Sequence, residues 1–281
     1  MDTTSSGKRR EFDYSRREFS RVQKLIHARV GIHLGDNKQE MVYSRLARRL
    51  RATGIRSVGV YLDQLDDPDH PEWQQFINAL TTNLTAFFRE SHHFDTLQTH
   101  LKTHFRNQNR IRIWCCAAST GEEPYSIAMT AIEALGSARQ GIEVIATDVD
   151  TRALETASAA MYDLDRVAKL PKAFLKRFFL RGVGKNQGRV RLKNEVRNLV
   201  TFQHVNLLDR NWPLEEPVDF IFCRNVFIYF ENQTQAALLK RFHSLLNEKG
   251  LFFAGHSESL ISGGDLFKSL GKTVFSPVRS R

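Results

Sequence analysis

The chain has 281 residues, 41% of them hydrophobic and 26% charged, which is enough for one large domain or two modest ones with a real core. No apolar run approaches the roughly 20 residues that span a membrane, and the polar, basic N-terminus excludes a secretory signal. Three cysteines give no disulfide framework. We therefore expect a cytoplasmic protein that does not insert into a membrane.

The net charge of +10 is unevenly distributed. Residues 1–60 hold 14 Lys and Arg against 6 Asp and Glu, whereas the other 221 residues hold 27 against 25. The counts place nearly all of the positive field in the N-terminal fifth. Such a field attracts a polyanion, which can be a nucleic acid, an anionic membrane face or an acidic protein surface.

An all-helical domain is predicted over residues 15–81, after a disordered tail at 1–14. Apolar residues recur at helical spacing from Ser15 until Gly31. A second helix follows, with Asp36 as its predicted N-cap and Gly54 as its end. Its apolar residues share one face, and at about 100° per residue the opposite face carries four arginines: Arg45, Arg48, Arg49 and Arg51. Two more helical stretches complete the domain, at 58–65 and 72–80.

From about residue 110, apolar strands alternate with helices, which predicts an α/β domain with a doubly wound, mostly parallel sheet covered on both faces. Helices are expected at 124–136, 151–159 and 233–247. A Gly-rich turn between two strand-like runs predicts a small antiparallel β insertion over about 176–198. A last strand, at the sheet edge, is expected over 272–277. The main strands are predicted at 111–117, 143–147, 199–205, 219–223 and 251–254.

The loop after the first of these strands reads Ser119-Thr-Gly-Glu-Glu-Pro124. It carries two carboxylates where a phosphate-binding loop would carry glycines or a lysine. A single acid at a helix start is more simply explained by the helix dipole. Two acids, together with Asp148 at the second strand end, where an acid often accepts bonds from ribose hydroxyls, favour a hydroxyl-rich, cationic ligand. S-adenosylmethionine fits this description, and NAD or ATP does not.

The linker at 82–95 places Asn83, Thr85 and Arg89 around the pair Phe87-Phe88. On a helix, Thr85 and Arg89 would share a face, although an ordinary amphipathic linker explains the spacing equally well. The adjacent histidines at 92 and 93 lack partner spacing, so no metal is predicted.

Beyond the fourth strand, the run Cys223-Arg-Asn-Val226 is followed by Tyr229. Tyr229 is either a core aromatic residue or, if its hydroxyl reaches the ligand cleft, a catalytic one. Cys115, Cys116 and Cys223 have no activating base nearby in the sequence, so structural thiols are favoured over nucleophiles.

Seven stretches together resemble the chemotaxis receptor methyltransferases, the CheR family, and the resemblance extends over nearly the whole chain from about residue 15. The matching stretches are 41–50, Thr81-Thr-Asn-Leu-Thr-Ala-Phe-Phe-Arg-Glu90, Ala118-Ser-Thr-Gly-Glu-Glu-Pro-Tyr-Ser-Ile-Ala-Met129, Thr147-Asp-Val-Asp150, Asn206-Leu-Leu208, Cys223-Arg-Asn-Val226 and Gly255-His-Ser-Glu258.

The resemblance implies an enzyme that transfers a methyl group from S-adenosylmethionine to receptor glutamates and releases S-adenosylhomocysteine. It implies a helical N-terminal domain and a methyltransferase domain, here 96–281, with a β subdomain. Residues matching Arg89 and Tyr229 are implied as catalytic. The implied cofactor-binding residues are Asn83, Thr85, Arg89, Glu123, Asp148, Asn206, Leu207, Cys223 and Arg224.

The resemblance also implies the partners. The basic arginine face matches the surface that docks on acidic receptor helices, and the β subdomain matches the element that tethers some members to a C-terminal receptor pentapeptide. The short hairpin at 181–188 resembles that of tether-binding members. We expect a monomer at receptor clusters. Two alternatives remain open: a nucleic-acid methyltransferase anchored by its basic domain, and a non-catalytic module that senses S-adenosylmethionine.

Overall fold

The computed structural model describes residues 10–136, 141–214, 216–258 and 265–279. The chain divides into two compact units, 1–82 and 83–281. Unit 1 contains four helices within its described part: α1 (Arg16–Val30), α2 (Gln39–Thr53), α3 (Val58–Gln64) and α4 (Glu72–Leu80).

The ends of α1 follow from local chemistry. Ser15 caps its start by accepting a hydrogen bond from the Glu18 nitrogen, and the Glu18 side chain accepts one from Ser15 in return. Gly31 ends α1 with φ of 73°, as Gly54 ends α2 with φ of 74°. The prediction that Asp36 caps α2 is wrong, because a short 3-10 helix at Asp36–Lys38 precedes it and Lys38 occupies the N-cap.

The disorder expected for the tail is wrong for its last residues, and residues 1–9 lie outside the described ranges. Tyr14 is buried, the Phe12 nitrogen donates to the Tyr43 hydroxyl, and Glu11 pairs with Arg51 at 2.6 Å. Residues 10–14 are therefore packed against α2.

We expected the four arginines of α2 to form one exposed face, but they do not all face solvent. Arg45 donates to the Leu80 and Thr81 carbonyls at 2.7 Å and so closes the end of α4. Arg49 forms a two-armed ion pair with Glu72, and these side chains are only 13% and 11% exposed. Arg48 is exposed. The helical period placed the face correctly but could not show which arginines find partners.

Unit 2 is built on a seven-stranded sheet with the order β6-β2-β1-β7-β8-β10-β9. The first five strands of that order are parallel, and β10 and β9 are antiparallel to their neighbours. The strands are β1 (Ile111–Cys115), β2 (Ile142–Asp148), β6 (Val200–His204), β7 (Val218–Cys223), β8 (Leu246–Ala254), β9 (Phe267–Gly271) and β10 (Val274–Pro277).

The doubly wound prediction is confirmed, with one correction. The last strand, β10, was expected at the sheet edge, but β9 pairs outside it and takes that place. The strand order reverses between β1 and β7. In open α/β sheets, ligands bind at such a reversal, beyond the carboxyl ends of the strands. The loops after β1 and β7 therefore define where a site is expected.

Alternating side chains of the strands fill two apolar layers, one on each face of the sheet. On β1, Ile113 and Cys115 belong to one layer and Trp114 to the other. The first layer also holds residues of α5 and α6, and the second holds residues of α11. The main helices of unit 2 are α5 (His92–His104), α6 (Glu122–Leu135), α7 (Thr151–Ala159) and α11 (Asn232–Leu245).

The β insertion is a three-stranded antiparallel sheet of order β3-β5-β4 with short helices around it. It begins earlier than predicted, because β3 already pairs with β5. Residues 161–198 hold 11 Lys and Arg against 3 Asp and Glu. The N-terminal fifth therefore does not hold nearly all of the positive charge. The insertion comprises β3 (Met161–Asp163), α8 (Leu164–Val167), α9 (Lys172–Phe178), β4 (Phe179–Arg181), β5 (Arg189–Leu192) and α10 (Asn194–Arg197).

Within the described ranges, none of the helices combines the length and the apolar character that crossing a membrane requires.

The ion pair of α2 gives a stability prediction. R49A leaves the nearly buried Glu72 carboxylate with the Tyr61 hydroxyl but without its cationic partner, so we expect the free energy of unfolding to fall by about 2–4 kcal/mol. R48A, on the exposed face of the same helix, should change it by less than about 0.5 kcal/mol. Urea unfolding of the whole chain, followed by circular dichroism, measures both. Equal losses would contradict the assignment.

Candidate functional site

The loop after β1 is fixed to the end of β2. The Ala118 nitrogen donates to the Thr147 carbonyl at 2.9 Å, and the Ser119 nitrogen donates to Asp148 Oδ2 at 2.8 Å. Ser119 has φ of 49° and Gly121 has φ of 97°. A Cβ on Gly121 would lie 2.7 Å from the Tyr162 hydroxyl, so only glycine fits there. The two strand ends therefore present one connected surface.

Asp148 lies at the centre of this surface. It is 9% exposed, and its Oδ1 accepts from the Asp150 nitrogen at 2.9 Å. Burial raises the pKa of Asp148 to about 6, although backbone donors act in the opposite direction. Because the folded-state pKa is raised, this group favours folding at low pH, and that contribution is lost as pH rises through about 6.

Asn83 joins the same group from the start of unit 2. Its Nδ2 donates to Asp150 Oδ2 at 2.7 Å, and its Oδ1 accepts from the Ser119 hydroxyl at 3.2 Å. Asp150 also caps α7 by accepting from the Arg152 and Ala153 nitrogens. Asn83 and Asp148 thus lie in one hydrogen-bonded group, and Asp150 is a member that the sequence analysis did not single out.

A second group surrounds Arg224, whose side chain is fully buried. Its guanidinium pairs with Glu123 at 2.5 Å and with Glu90 at 3.2 Å. It also donates to the Arg89 carbonyl at 2.6 Å. A guanidinium that is paired with two acids can hold in place the segments that carry them. Glu90 is a member of this group that the sequence analysis did not identify.

The charges of this group support one another. Burial alone would raise the pKa of Glu90, but the Arg224 charge and its hydrogen bond outweigh burial and lower it. Burial likewise opposes the charged form of Arg224, and Glu123 and Glu90 reverse this, so its pKa is raised. Both shifts favour the charged forms of Glu90 and Arg224, as a buried ion pair requires to offset its loss of hydration.

The segment that carries Arg89 is not the helix on which Thr85 and Arg89 would share a face. Residues 81–86 have no regular structure, and a turn follows before α5 begins. Phe88 and Glu90 have φ of 53° and 57°, an unusual backbone for such residues. The Arg89 guanidinium reaches back to the Leu84 carbonyl at 2.9 Å. Thr85 is half-buried.

Glu122, the other acid of the loop after β1, is fully buried. It forms an ion pair with Arg166 of α8 and accepts from the Thr120 hydroxyl at 2.6 Å. The Tyr162 hydroxyl donates to the Thr120 carbonyl at 2.9 Å. Both acids of the loop are therefore engaged within unit 2, and the β insertion supports the loop. No sequence signal pointed to Arg166.

The remaining predicted residues lie at two other strand ends. The Val205 nitrogen donates to the Asp148 carbonyl at 3.1 Å, which places Asn206 and the buried Leu207 after β6 beside β2. Asn206 Oδ1 accepts from the Leu208 nitrogen at 3.0 Å. Tyr229 ends a short 3-10 helix after β7 and is half-buried. Among the described residues, its hydroxyl belongs to neither hydrogen-bonded group.

The three cysteines are free and buried. Burial raises the pKa of Cys115, Cys116 and Cys223, which disfavours the thiolate that a nucleophile needs. Cys223 ends β7, so its contribution to a site is its position and not the reactivity of its thiol.

One cluster has the composition of a metal site. Single ligand atoms of Glu90, His92 and His93 lie within 4.8 Å of one another. However, Glu90 is already paired with Arg224, and His93 Nε2 lies 2.9 Å from the Lys272 carbonyl. Burial lowers the pKa of His93 to about 4. We assign these residues to the packing around Arg224 and no metal to the cluster.

The geometry at the strand reversal suits a ligand that carries hydroxyls and positive charge. Glu122 and Glu123 are paired with Arg166 and Arg224, but the carboxylates of Asp148 and Asp150 at the end of β2 would repel a pyrophosphate. The hydroxyl groups of a ribose and a sulfonium centre fit this donor-poor, acceptor-rich edge.

Comparison with known proteins identifies the relatives of this chain. Residues 17–81 match the family model described as the CheR methyltransferase all-alpha domain, and residues 83–276 match the CheR methyltransferase SAM binding domain. Chemotaxis protein methyltransferase 2 of Pseudomonas aeruginosa is 48% identical over 267 residues, 95% of each chain. The chemotaxis protein methyltransferase of Salmonella typhimurium is 49% identical over 259 residues, 92% of this chain and 89% of that one.

The pKa of Asp148 gives a prediction for cofactor binding. We expect the affinity for S-adenosylmethionine to be about tenfold weaker at pH 5 than at pH 7.5, because protonation near pH 6 removes acceptor capacity. Calorimetric titration at both pH values measures this. E155Q, an exposed change on α7, should keep the wild-type dependence, and D148N should bind weakly at both values. Equal wild-type affinities would refute the role of Asp148.

Proposed function

Because the chain belongs to the CheR methyltransferase family, we propose that it transfers a methyl group from S-adenosylmethionine to glutamate side chains of bacterial chemoreceptors. The products are glutamate methyl esters and S-adenosylhomocysteine, and the role is adaptation in chemotaxis. The observation that supports this best is the match of both units, at 17–81 and 83–276, to the two domains of one methyltransferase family.

The reaction needs alignment more than acid–base chemistry. S-adenosylmethionine supplies the methyl group and a good leaving group. The receptor carboxylate, with an ordinary pKa near 4.3, is ionised at neutral pH and needs no general base. Its oxygen forms the bond to the methyl carbon as the carbon–sulfur bond breaks, and the electron pair goes to sulfur. The protein contributes the line-up of these three atoms and the removal of water from the carboxylate.

The proposed roles follow from the two hydrogen-bonded groups. Asp148 accepts from ribose hydroxyls in this proposal, with a carboxylate that backbone donors from Ser119 and Asp150 already hold in place. Arg89 orients a carboxylate with the part of its guanidinium that does not bond Leu84. Tyr229 donates a hydrogen bond that fixes the angle of attack. The remaining cofactor-binding residues are Asn83, Thr85, Glu123, Asn206, Leu207, Cys223 and Arg224.

Two members of that set work indirectly in this proposal. The Arg224 guanidinium and the Glu123 carboxylate satisfy each other, so they shape the wall of the site and hold the Arg89 segment. The domain assignment follows: 15–81 docks on the receptor, 82–95 contributes to the site, and 96–281 forms the methyltransferase domain with its β subdomain.

The function is tested by incubating the protein with receptor-containing membranes and methyl-labelled S-adenosylmethionine. We expect label on receptor protein that base releases as methanol, as a carboxylate ester requires. Label that resists base, or no label, would refute the proposal. Y229F should lower kcat by about 10–100-fold with little change in cofactor affinity, the pattern of an interaction made in the transition state.

Nucleic-acid methylation is an alternative, because the basic charge of the chain would attract a polyanion. It predicts tight, salt-sensitive binding of RNA or DNA and base-stable label. The run after β7, Cys223-Arg-Asn-Val226, is not the Asn-Pro-Pro-Tyr type of loop used for amine methylation of bases. A non-catalytic sensor would instead bind the cofactor and leave every receptor unlabelled.

The partner is proposed to be the acidic helical region of the receptor, met in the cytoplasm at receptor clusters by a monomer. Of the four arginines on α2, Arg48 is exposed and Arg51 has one exposed partner, Glu11. Arg45 and Arg49 serve the fold of unit 1, so docking falls mainly to Arg48 and Arg51.

The docking surface gives a prediction that separates it from the cofactor site. R48E should raise the KM for receptor about tenfold through like-charge repulsion and leave the affinity for S-adenosylmethionine unchanged. K240E, an exposed reversal on α11 of unit 2, should leave both unchanged. A loss of cofactor affinity in R48E would contradict the division of labour between the units.

The β subdomain is proposed to hold the C-terminal pentapeptide of tether-carrying receptors. An extended peptide can add a strand to a sheet edge, and β4 is such an edge with Leu180 54% exposed and Val183, just beyond it, 81% exposed. The surplus of basic residues in 161–198 suits a peptide with an acidic residue and a terminal carboxylate. Titration with receptor C-terminal peptides tests this.

A further inference from the structure

One buried carboxylate, that of Glu258, holds the loop that follows β7. Its Oε1 accepts from the Phe227 nitrogen at 2.8 Å, and its Oε2 accepts from the Asn225 nitrogen at 2.9 Å and from the Gly255 nitrogen. The residue is 4% exposed. Because these backbone N–H groups from two segments converge on one carboxylate, it fixes the main chain of both segments.

The shape of this loop depends on such support. Asn225 has φ of 59°, in the left-handed region that few residues other than glycine, asparagine and aspartate adopt. Glu258 binds the main chain on both sides of Val226, and the short helix Phe227–Tyr229 begins at the second of these contacts. The path of the chain from β7 to Tyr229 is therefore set by a side chain 33 residues away from Asn225.

The approach between the two segments leaves no room for a methyl group. A Cβ on Gly255 would lie 2.7 Å from the Asn225 nitrogen and 2.8 Å from Glu258 Oε2. Burial raises the pKa of Glu258, and the backbone donors act against that rise. Within the described ranges, no ion pair with a basic side chain is recorded for Glu258, so its ionised form relies on the loop as the loop relies on it.

We propose that Glu258 is a positioning residue that sets the main-chain path of the loop at 224–229 and thereby places the Tyr229 hydroxyl for methyl transfer. The inference rests on the proposed function, because it gives Tyr229 its role there. Glu258 touches neither the methyl group nor the receptor carboxylate. It acts through main-chain nitrogens, those of Gly255, Asn225, Phe227 and Ile228.

The experiment measures kcat, the KM for receptor and the affinity for S-adenosylmethionine in E258Q. In this variant an amide NH2 faces backbone donors, so the loop must shift. A shift near 1 Å should lower kcat by about 10–100-fold, with the cofactor affinity within about threefold of wild type. E248Q removes an exposed carboxylate from β8 and should match wild type. Unchanged kcat in E258Q overturns the inference.

A double-mutant cycle with Y229F separates positioning from general stability. If Glu258 acts through Tyr229, E258Q adds little to the loss in Y229F, and the coupling is large. Fully additive losses overturn the inference, since they show that Glu258 serves some other part of the protein. G255A keeps the carboxylate but intrudes on the same contact, so it should show the same coupling, and it replaces E258Q if that variant fails to bind cofactor.

The two proposals fail in distinguishable ways. A wild-type protein that does not label receptors refutes the proposed function before any variant is examined. A wild-type protein that labels receptors, with E258Q as active as wild type, refutes only the role of Glu258.

Discussion

The candidate site depends on one buried cation, the Arg224 guanidinium, which bonds three groups from two parts of unit 2. Glu123 comes from the start of α6, Glu90 from the turn before α5, and the Arg89 carbonyl from the same turn. Arg224 therefore makes more contacts than the cation of a single surface ion pair does. Removing it would leave two carboxylates buried without their cation, which is strongly destabilising. The turn that presents Arg89 has its unusual backbone at Phe88 and Glu90 because this network holds it.

The topology explains why these groups meet. The strand order reverses between β1 and β7, so the loops after those two strands diverge and leave a crevice between them. Asp148 ends β2 near this reversal, and Arg224 directly follows β7. The charge pattern thus selects the ligand class, whereas the direction of the strands selects the place. The methyl transfer proposed above needs little more than this placement, because the receptor carboxylate arrives already ionised.

Residues adjacent to strand ends could be predicted from the sequence, and those that act from a distance could not. The alternation of apolar strands placed Asp148 and Arg224 correctly, since a strand end is a local property. Arg166 and Glu258 reach their partners across 44 and 33 residues, and no local pattern encodes that. Helical periodicity found the arginine face of α2, but the pairing of Arg49 with Glu72 depends on how α4 packs. The net charge of residues 61–281 concealed the basic insertion, because acids elsewhere balance it.

The contact between Arg166 and Glu122 limits how the β insertion can be exchanged among relatives. Glu122 is fully buried at the loop after β1, and its cationic partner belongs to the insertion. A chimaera whose new insertion lacked a basic residue at the position of Arg166 would leave the Glu122 carboxylate buried without a cationic partner. The insertion is therefore an integral component of unit 2 and not a detachable module, and an exchange of the insertion between relatives should keep α8, which carries Arg166.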